Sequence, residues 1–510
     1  MANQYLLAIA LVAYLALNIG VGLYAARRVK NSSDYLVAGH RLPLFMVVTT
    51  TFATWFGSET ILGTSSTFIQ EGLGGIVADP FGAALCLILV GLFFAVPLYR
   101  LKLLTIGDFY RKRYGRDIEV ITSVVIALSY LGWVAAQLSA MGLVFNIITH
   151  DLISVTGGVL IGVTIVVTYT ILGGMWSVAL TDFIHNILLV AGLAYITWLI
   201  TGMVDGGAST VISHAREAGK LNMLPEHNLA GWLGFFGALI TLGFGSIPQQ
   251  DIYQRVLAAN TANNARNGAV IGGICYFLFA MMPIYLAYTA FIVSPDMVNA
   301  ALGEGGDSQM VLPNLIMQNT PVFVQVIFFG ALLSAIMSTA SATLLAPSGV
   351  ISENLLSKVY YRLDSRQRVW FIRATVLVFA ICVTTYALAT DKSIFEMVEN
   401  AYKVVLVGAF APLAFGLYWK RASQNGARVS IAFGVGVWLI FEALDYSWSN
   451  GTGWSMIGLQ HLAAVCPPQL AGFIASVIGM LLGSLIWPNR KGMPQPDDEK
   501  IADETMLNAQ

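Results

Sequence analysis

"GALLSAIMSTASATLLAPSG", residues 330–349, is apolar enough to cross a membrane and carries no charge. Yet it holds Ser334, Ser338, Thr339, Ser341 and Thr343 within ten residues. In a helix, Ser334, Ser338 and Ser341 fall at i, i+4 and i+7 on one face, with Thr339 and Thr343 on the adjacent face. A lone hydroxyl in such a helix ordinarily bonds its own i−4 carbonyl or lines a helix contact. A cluster has a second use, because a dehydrated hard cation needs several oxygen ligands at once. Neutral hydroxyls, with carbonyls freed from an unwound helix, supply them to a monovalent ion without a buried charge.

The rest of the chain sets this segment in a bilayer. Of its 510 residues 57% are hydrophobic and only 11% charged, and the mean hydropathy is +0.72. Soluble domains run near 25% charged. Apolar runs of about 20 residues recur along the whole length, each long enough to span as a helix. We read thirteen spans, near 5–26, 43–70, 76–98, 118–147, 155–174, 178–202, 229–254, 268–293, 321–355, 370–390, 395–419, 427–446 and 468–487. The fold expected is therefore an all-α polytopic membrane protein with the lipid bilayer as its solvent. A net charge of −1 gives no reason to expect nucleic acid as a partner. The first span follows no basic segment and is too long for a signal-peptide core, so it reads as a true span. Cys86, Cys275, Cys382 and Cys466 show neither CxxC spacing nor a disulfide pattern and read as small core residues.

Charge orients the spans. With the N-terminus outside, the inner loops and the C-terminal tail receive 23 of the 27 Lys and Arg, all but Arg216, Lys220, Lys392 and Lys403. The positive-inside rule then selects N-out, C-in, in the cell (plasma or inner) membrane. The outer loops 203–228 and 294–318 are Gly-rich and mildly acidic, and 447–454, "SWSNGTGW", is aromatic and small. The tail is polar and too short for a signalling module.

Two spans are interrupted alike, by "ATWFGSETILGTSS" (53–66) and "LGFGSIPQQDIYQR" (242–255). Glycine, proline and polar residues at mid-span unwind a helix, and unwound backbone at membrane depth is tolerated only where it is buried or lines a wet cavity. Glycines that merely allow tight packing explain one such span. Two, five spans apart and so running in opposite directions, indicate an inverted repeat with discontinuous helices and a midplane site, as in secondary transporters.

The pattern A-x-M-S-[ST] in the ninth span, "NSSDYLVAGHRLP" after the first and "LGGMWSVALTDFIHN" leading into the sixth resemble the sodium/solute symporter family over residues 1–420. That resemblance implies an inverted five-plus-five helix core of the LeuT-like, amino acid–polyamine–organocation type. The implied division is 1–42 (first helix and inner loop), 43–202 (first repeat), 203–228 (outer loop), 229–420 (second repeat), 421–490 (peripheral helices) and 491–510 (cytoplasmic tail). It implies a sodium site made by the side chains of Ser338 and Thr339, the carbonyl of Ala335, and carbonyls of Ala53 and Phe56 in the broken second span. Some members bind a second sodium, and Asp182, Ser338 and Ser341 match that pattern, although the next expected hydroxyl is Ala342 here. Asp182 has two other readings, an inner gate or a pair with His185 at i+3.

Within the family, "GAALCLILVGLFFA", "SYLGWVAAQLSAMG" and "IPQQDIYQRVLAANTA" look most like the high-affinity choline transporter branch. A quaternary ammonium wants a cage of aromatic faces. Trp55 and Trp133 match two expected aromatic positions, while Ala83 and Gln249 replace two others. Gln249 and Gln250 offer amides in the second break. Glu59, in the first, suits an ammonium or sugar hydroxyls, and an intramembrane acid is a functional candidate by default. Asp251 with Arg255 and Glu399 with Lys403 are expected as i+4 pairs. The solute expected is a small amine, amino acid or similar polar molecule, with a quaternary amine such as choline as the alternative. No HExxH, GxSxG or Cys/His cluster suggests an enzyme, so no catalytic residue or cofactor is expected, and sodium is the only metal, as a co-transported ion. A transporter-like sensor would need an output domain, and a passive channel would show no mutual dependence of sodium and solute.

Overall fold

The computed structural model describes residues 2–449 and 465–488. The expectations for residues 450–464 and for the tail 491–510 lie outside the described residues. No strand occurs among the described residues, and nine helices are long and apolar enough to cross a membrane. One of them, Val155–Thr201, leaves helical geometry at Gly174 and so supplies the fifth and sixth passes. Three shorter apolar stretches, in Ala2–Ala26, Leu44–Trp55 and Leu229–Gly243, belong to the first, second and seventh passes. Counted so, the described residues make thirteen passes. The fourth pass is Arg116–Ile148, the eighth Ala262–Val293, the ninth Val322–Leu355 and the eleventh Ile394–Tyr418.

The interruptions fall where glycine and polar residues were read. In the second pass, helix Leu44–Trp55 ends at Phe56 (φ −91°, ψ 72°), and a new helical segment starts at Glu59 and runs on through Thr64–Glu71. In the seventh, Leu229–Gly243 and Gln250–Ala258 flank a non-helical link through Phe244–Gln249. The ninth pass, which carries the hydroxyl cluster, lies at the centre: 72% of its apolar window is buried, against 22% for the peripheral twelfth pass, Gln424–Asp445.

The bend at Gly174 shows how the loop after the first pass is used. Its φ of +51° is open to glycine, and a Cβ there would lie 2.5 Å from the Tyr35 carbonyl oxygen. Breaking the helix frees carbonyls one turn earlier. Tyr35 Oη donates to the carbonyls of Thr170 (3.0 Å) and Ile171 (3.3 Å), and Arg373 Nη2 donates to Leu172 (3.0 Å). Freed backbone groups in a membrane need such partners. Tyr35 itself sits in a short helix, Ser32–Val37, capped by Asn31, whose Oδ1 accepts from Asp34 N at 2.8 Å.

Nearby, the segments at the ends of the half-helices Leu44–Trp55 and Gln250–Ala258 pair main chain to main chain. Leu42 N donates to Ala258 O and Asn260 N donates to Leu42 O, each at 2.9 Å. At the other end of the second pass, Ser66 and Ser308 share a hydrogen bond (2.6 Å) and Gln70 Nε2 donates to Ser308 (2.8 Å). Ile394 N donates to Gln309 there (3.0 Å), so this end is latched by the 306–309 loop.

Candidate functional site

The five hydroxyls divide by what they reach. Ser341 and Thr343 donate to carbonyls of their own helix, at Ser338 (2.9 Å) and Thr339 (2.7 Å), while Ser334 donates to Gly330 in that helix (2.7 Å) and also hydrogen-bonds Tyr14 Oη of the first pass. Thr339 instead donates across to the Ala53 carbonyl in the broken second pass, at 3.4 Å, and Ser338 Oγ lies 3.3 Å from the same carbonyl. The structure thus brings Ser338, Thr339 and Ala53 together, with Phe56 at the break itself and Ala335 one turn before Thr339. Asp182 joins the group: its two carboxylate oxygens accept from Ser338 Oγ and Thr50 Oγ1, both at 2.5 Å. Thr50 was not anticipated, whereas the Ser341 hydroxyl turns to its own helix. His185 does not pair with Asp182, because its Nε2 meets Asn18 Oδ1 at 2.6 Å.

A second cluster adjoins the first. Along the fourth pass, Tyr130, Trp133 and Gln137 repeat at i, i+3 and i+7 and so share a face. Trp133 Nε1 donates to Glu59 Oε1 (2.9 Å) and Gln137 Nε2 to Glu59 Oε2 (2.6 Å), while Gln137 Oε1 accepts from the Ser58 N–H at the break (3.0 Å). Trp55 Nε1 donates to Asp251 Oδ2 (3.2 Å), and Tyr130 Oη donates to Asp251 Oδ1 (2.5 Å) and accepts from Asp251 N (2.8 Å). Two indole N–H groups are thereby pinned to two carboxylates, which fixes the planes of both rings.

The ring faces form a cage. Trp55 stacks on Tyr402 (centroids 6.0 Å, 20°), Tyr130 on Trp133 (6.1 Å, 17°), and Trp55 meets Trp133 edge-on at 5.8 Å. Tyr276 closes a further side, 6.4 Å from Trp55. Its hydroxyl donates to Asp79, a third buried acid, which also accepts from Thr64 Oγ1 at 2.9 Å. Trp55 and Trp133 are only 2% and 1% exposed, so this conformation is closed around the cage.

Gly57 joins the clusters. A Cβ built on it would lie 2.4 Å from Glu59 Oε2, 2.8 Å from Thr339 Oγ1 and 2.9 Å from Gln137 Oε1. The carboxylate of the cage and a hydroxyl of the Ser338/Thr339 pair therefore approach the same point, which only a residue without a side chain leaves open.

The second break contributes unevenly. Gln249 Nε2 donates to Ser129 Oγ (2.9 Å), and its Oε1 is buried without a partner among the described residues. Gln250 turns away from the cage, because its Oε1 accepts from Ile106 N (2.7 Å) and its Nε2 reaches Leu104 O (3.4 Å), which ties the half-helix to the 104–106 loop. The expected Asp251–Arg255 pair does not form through the carboxylate. Arg255 Nη1 donates to the Asp251 carbonyl (2.8 Å), and the carboxylate accepts from Trp55 and Tyr130 instead. The i+4 pair Lys403–Glu399 does form, at 3.7 Å. Asp79, Tyr130, Tyr276 and Tyr402 were missed in the sequence. Asp79 had the plainest signal, an acid inside an apolar run.

A polytopic helical protein with two broken passes meeting at polar, buried clusters is a secondary transporter of the inverted-repeat class. The chain belongs to the sodium:solute symporter family, whose profile it matches over residues 35–434. It is 28% identical over 459 residues to the high affinity choline transporter 1 of Homo sapiens, covering 84% of this chain and 75% of that protein. It is 25% identical over 441 residues to the sodium/sialic acid symporter NanT of Aliivibrio fischeri, covering 83% of this chain and 85% of that protein. Its fold matches a Na+-coupled sialic acid symporter solved in a substrate-bound, outward-open state, with a TM-score of 0.76 and 20% identity over 97% of this chain and 99% of that one.

Proposed function

We propose that this sodium-coupled symporter carries a small organic cation. The observation behind this reading is the buried cage of Trp55, Trp133, Tyr130, Tyr276 and Tyr402, with Glu59 and Asp251 at its edges. Aromatic faces attract a cation most strongly when both are desolvated, and buried carboxylates without a cation nearby are costly. The tyrosines make up for the two aromatic positions that Ala83 and Gln249 leave open. The free acceptor on Gln249 suits a hydroxyl or N–H on the solute. The choline transporters among the relatives favour a quaternary ammonium alcohol over a primary amine.

Sodium is proposed to sit between the passes, with oxygens from Ser338, Thr339, Ala335, Ala53 and Phe56. Asp182, Ser338 and Ser341 frame a second position, where Thr50 adds a hydroxyl. The repeats are proposed as 43–202 and 229–420, with the N-terminus outside and the main-chain pairing at Leu42 on the cytoplasmic side. The cage and the hydroxyl pair carry the transport chemistry with no enzymatic step.

One sodium entering down about 100 mV contributes ~2.3 kcal/mol, and a tenfold gradient adds ~1.4 kcal/mol. Together they sustain roughly 500-fold accumulation of a neutral solute for one ion, and the charge of an organic cation adds a further ~2.3 kcal/mol, which raises the limit to about 10⁴-fold. The test is uptake into proteoliposomes of labelled choline, a primary amine, a neutral amino acid and a sugar, under sodium, potassium or proton gradients. Sodium-dependent uptake of the two cations alone is expected. Uptake equal in all three gradients, or confined to the sugar, overturns the reading.

A further inference from the structure

Gly57 sits where the second pass is unwound, and oxygen walls the space its missing side chain leaves. Glu59 Oε2, Thr339 Oγ1 and Gln137 Oε1 lie 2.4, 2.8 and 2.9 Å from the point a Cβ would take. They come from three different passes, the second, ninth and fourth, and all three residues are buried. That point is one bond from Cα, so no ligand can occupy it. Each oxygen must also clear Cα, however, which puts all three on the far side, converging on the space beyond.

Their hydrogen bonds leave that space to something that accepts electron pairs. Glu59 Oε2 accepts from Gln137 Nε2, and Gln137 Oε1 accepts from Ser58 N. Thr339 Oγ1 spends its one proton on the Ala53 carbonyl, 3.4 Å away. Carboxylate, amide and hydroxyl oxygens each carry two lone pairs, so every member of the set keeps at least one unused. Three oxygens gathered so closely, one of them charged, suit a hard cation, which holds its oxygen ligands at about 2.3–2.6 Å.

Charge leads to the same place. Among the described residues of the two clusters, the carboxylates of Glu59, Asp79, Asp182 and Asp251 are buried, against one buried guanidinium, Arg255. An organic cation in the cage and one sodium at Ser338 and Thr339 still leave one negative charge unmatched, and an unmatched charge inside a membrane is expensive. We propose that a further monovalent cation, sodium in the working carrier, binds beside Gly57 between Glu59 Oε2, Thr339 Oγ1 and Gln137 Oε1. This site is distinct from the positions at the hydroxyl pair and at Asp182, and it rests on the sodium-coupled reading for the identity of the ion. Glu59 then serves two cations with different atoms: Oε1, bonded to Trp133, belongs to the cage, and Oε2 to the ion.

The measurement is the number of radioactive sodium ions bound at saturation per purified full chain, in detergent and without solute. Glu59→Gln is expected to bind one ion fewer than the native chain. Gln137→Met keeps the carboxylate and removes one neutral oxygen, so it is expected to keep the count and weaken one class of ion by about tenfold. Ser338→Ala is expected to weaken the other class and leave the Glu59 class within about threefold of native. A native count with native affinity in either Glu59→Gln or Gln137→Met, once that variant is shown to fold, overturns the proposal. An ion lost from Asp182→Asn with none lost from Glu59→Gln overturns it as well. Failure of the hydroxyl-pair reading looks different: Ser338→Ala would then bind sodium as the native chain does, while Glu59→Gln still lost its ion.

Discussion

Replacing Trp55 with leucine tests the cage at its centre. The indole does two separable things. Its face stacks on Tyr402, 6.0 Å away, and its N–H holds Asp251 at 3.2 Å. In a desolvated site an aromatic face is worth ~2 kcal/mol to a cation, which is about 30-fold in affinity. The N–H contributes ~1.5–3 kcal/mol as a bond to a charged acceptor, but Asp251 loses it with or without solute, so that loss falls mainly on protein stability. Trp55→Leu should therefore weaken binding of labelled choline about 30-fold. Trp55→Phe, which keeps a smaller face and drops the N–H, should weaken it only about fivefold while lowering thermal stability as much. The assay is equilibrium binding to the purified protein at saturating sodium, run beside a neutral analogue with carbon in place of the ammonium nitrogen. The analogue should lose less than about threefold, because it feels only the apolar wall. Equal losses for cation and analogue, or no loss for either, would refute the cage argument.

Ser338→Ala and Thr339→Ala should each raise the sodium concentration needed for half-maximal binding about tenfold or more, and Thr339→Ser should be mild; sodium titration of binding checks both. Thr343→Ala should leave that titration unchanged and cost under ~1 kcal/mol of stability, because its hydroxyl bonds only its own helix, at Thr339 O. Gly57→Ala should abolish sodium-driven uptake and solute binding together, since the added methyl would fall 2.4 Å from Glu59 Oε2 and 2.8 Å from Thr339 Oγ1; a variant that lost one and kept the other would separate the two clusters. Glu59→Gln should weaken choline binding at least tenfold while the protein stays folded, because the amide still bonds Trp133 or Gln137, and intact affinity would remove Glu59 from the site.

The passes and their interruptions were legible because both signals are local. An apolar run has a length, and a break has glycine, proline and polar residues inside it. The hydroxyl cluster was legible as a cluster but not in its division, because the approach of Ser338 and Thr339 to the Ala53 carbonyl depends on a partner 285 and 286 residues away. The same distance problem hid the cage: Tyr276 and Tyr402 look like ordinary apolar-span tyrosines until folding sets them against Trp55. Asp251 was misread for a physical reason. The i+4 rule assumes that the best partner lies on the same helix, whereas at a helix break other passes come closer. Gln250 was misplaced because adjacent positions on a half-helix face different ways, one to the cage side and one to the 104–106 loop.

The pairing of Leu42 with Ala258 and Asn260 uses no side-chain atom. Any L-residue with a free N–H preserves it, and only proline at position 42 or 260 deletes a donor. Mutation can thus rewrite the indoles, amides and carboxylates, and with them the choice of cargo, while the joint between the two half-helices keeps its hydrogen bonds. A new selectivity can arise in such a chain without first reinventing its mechanics.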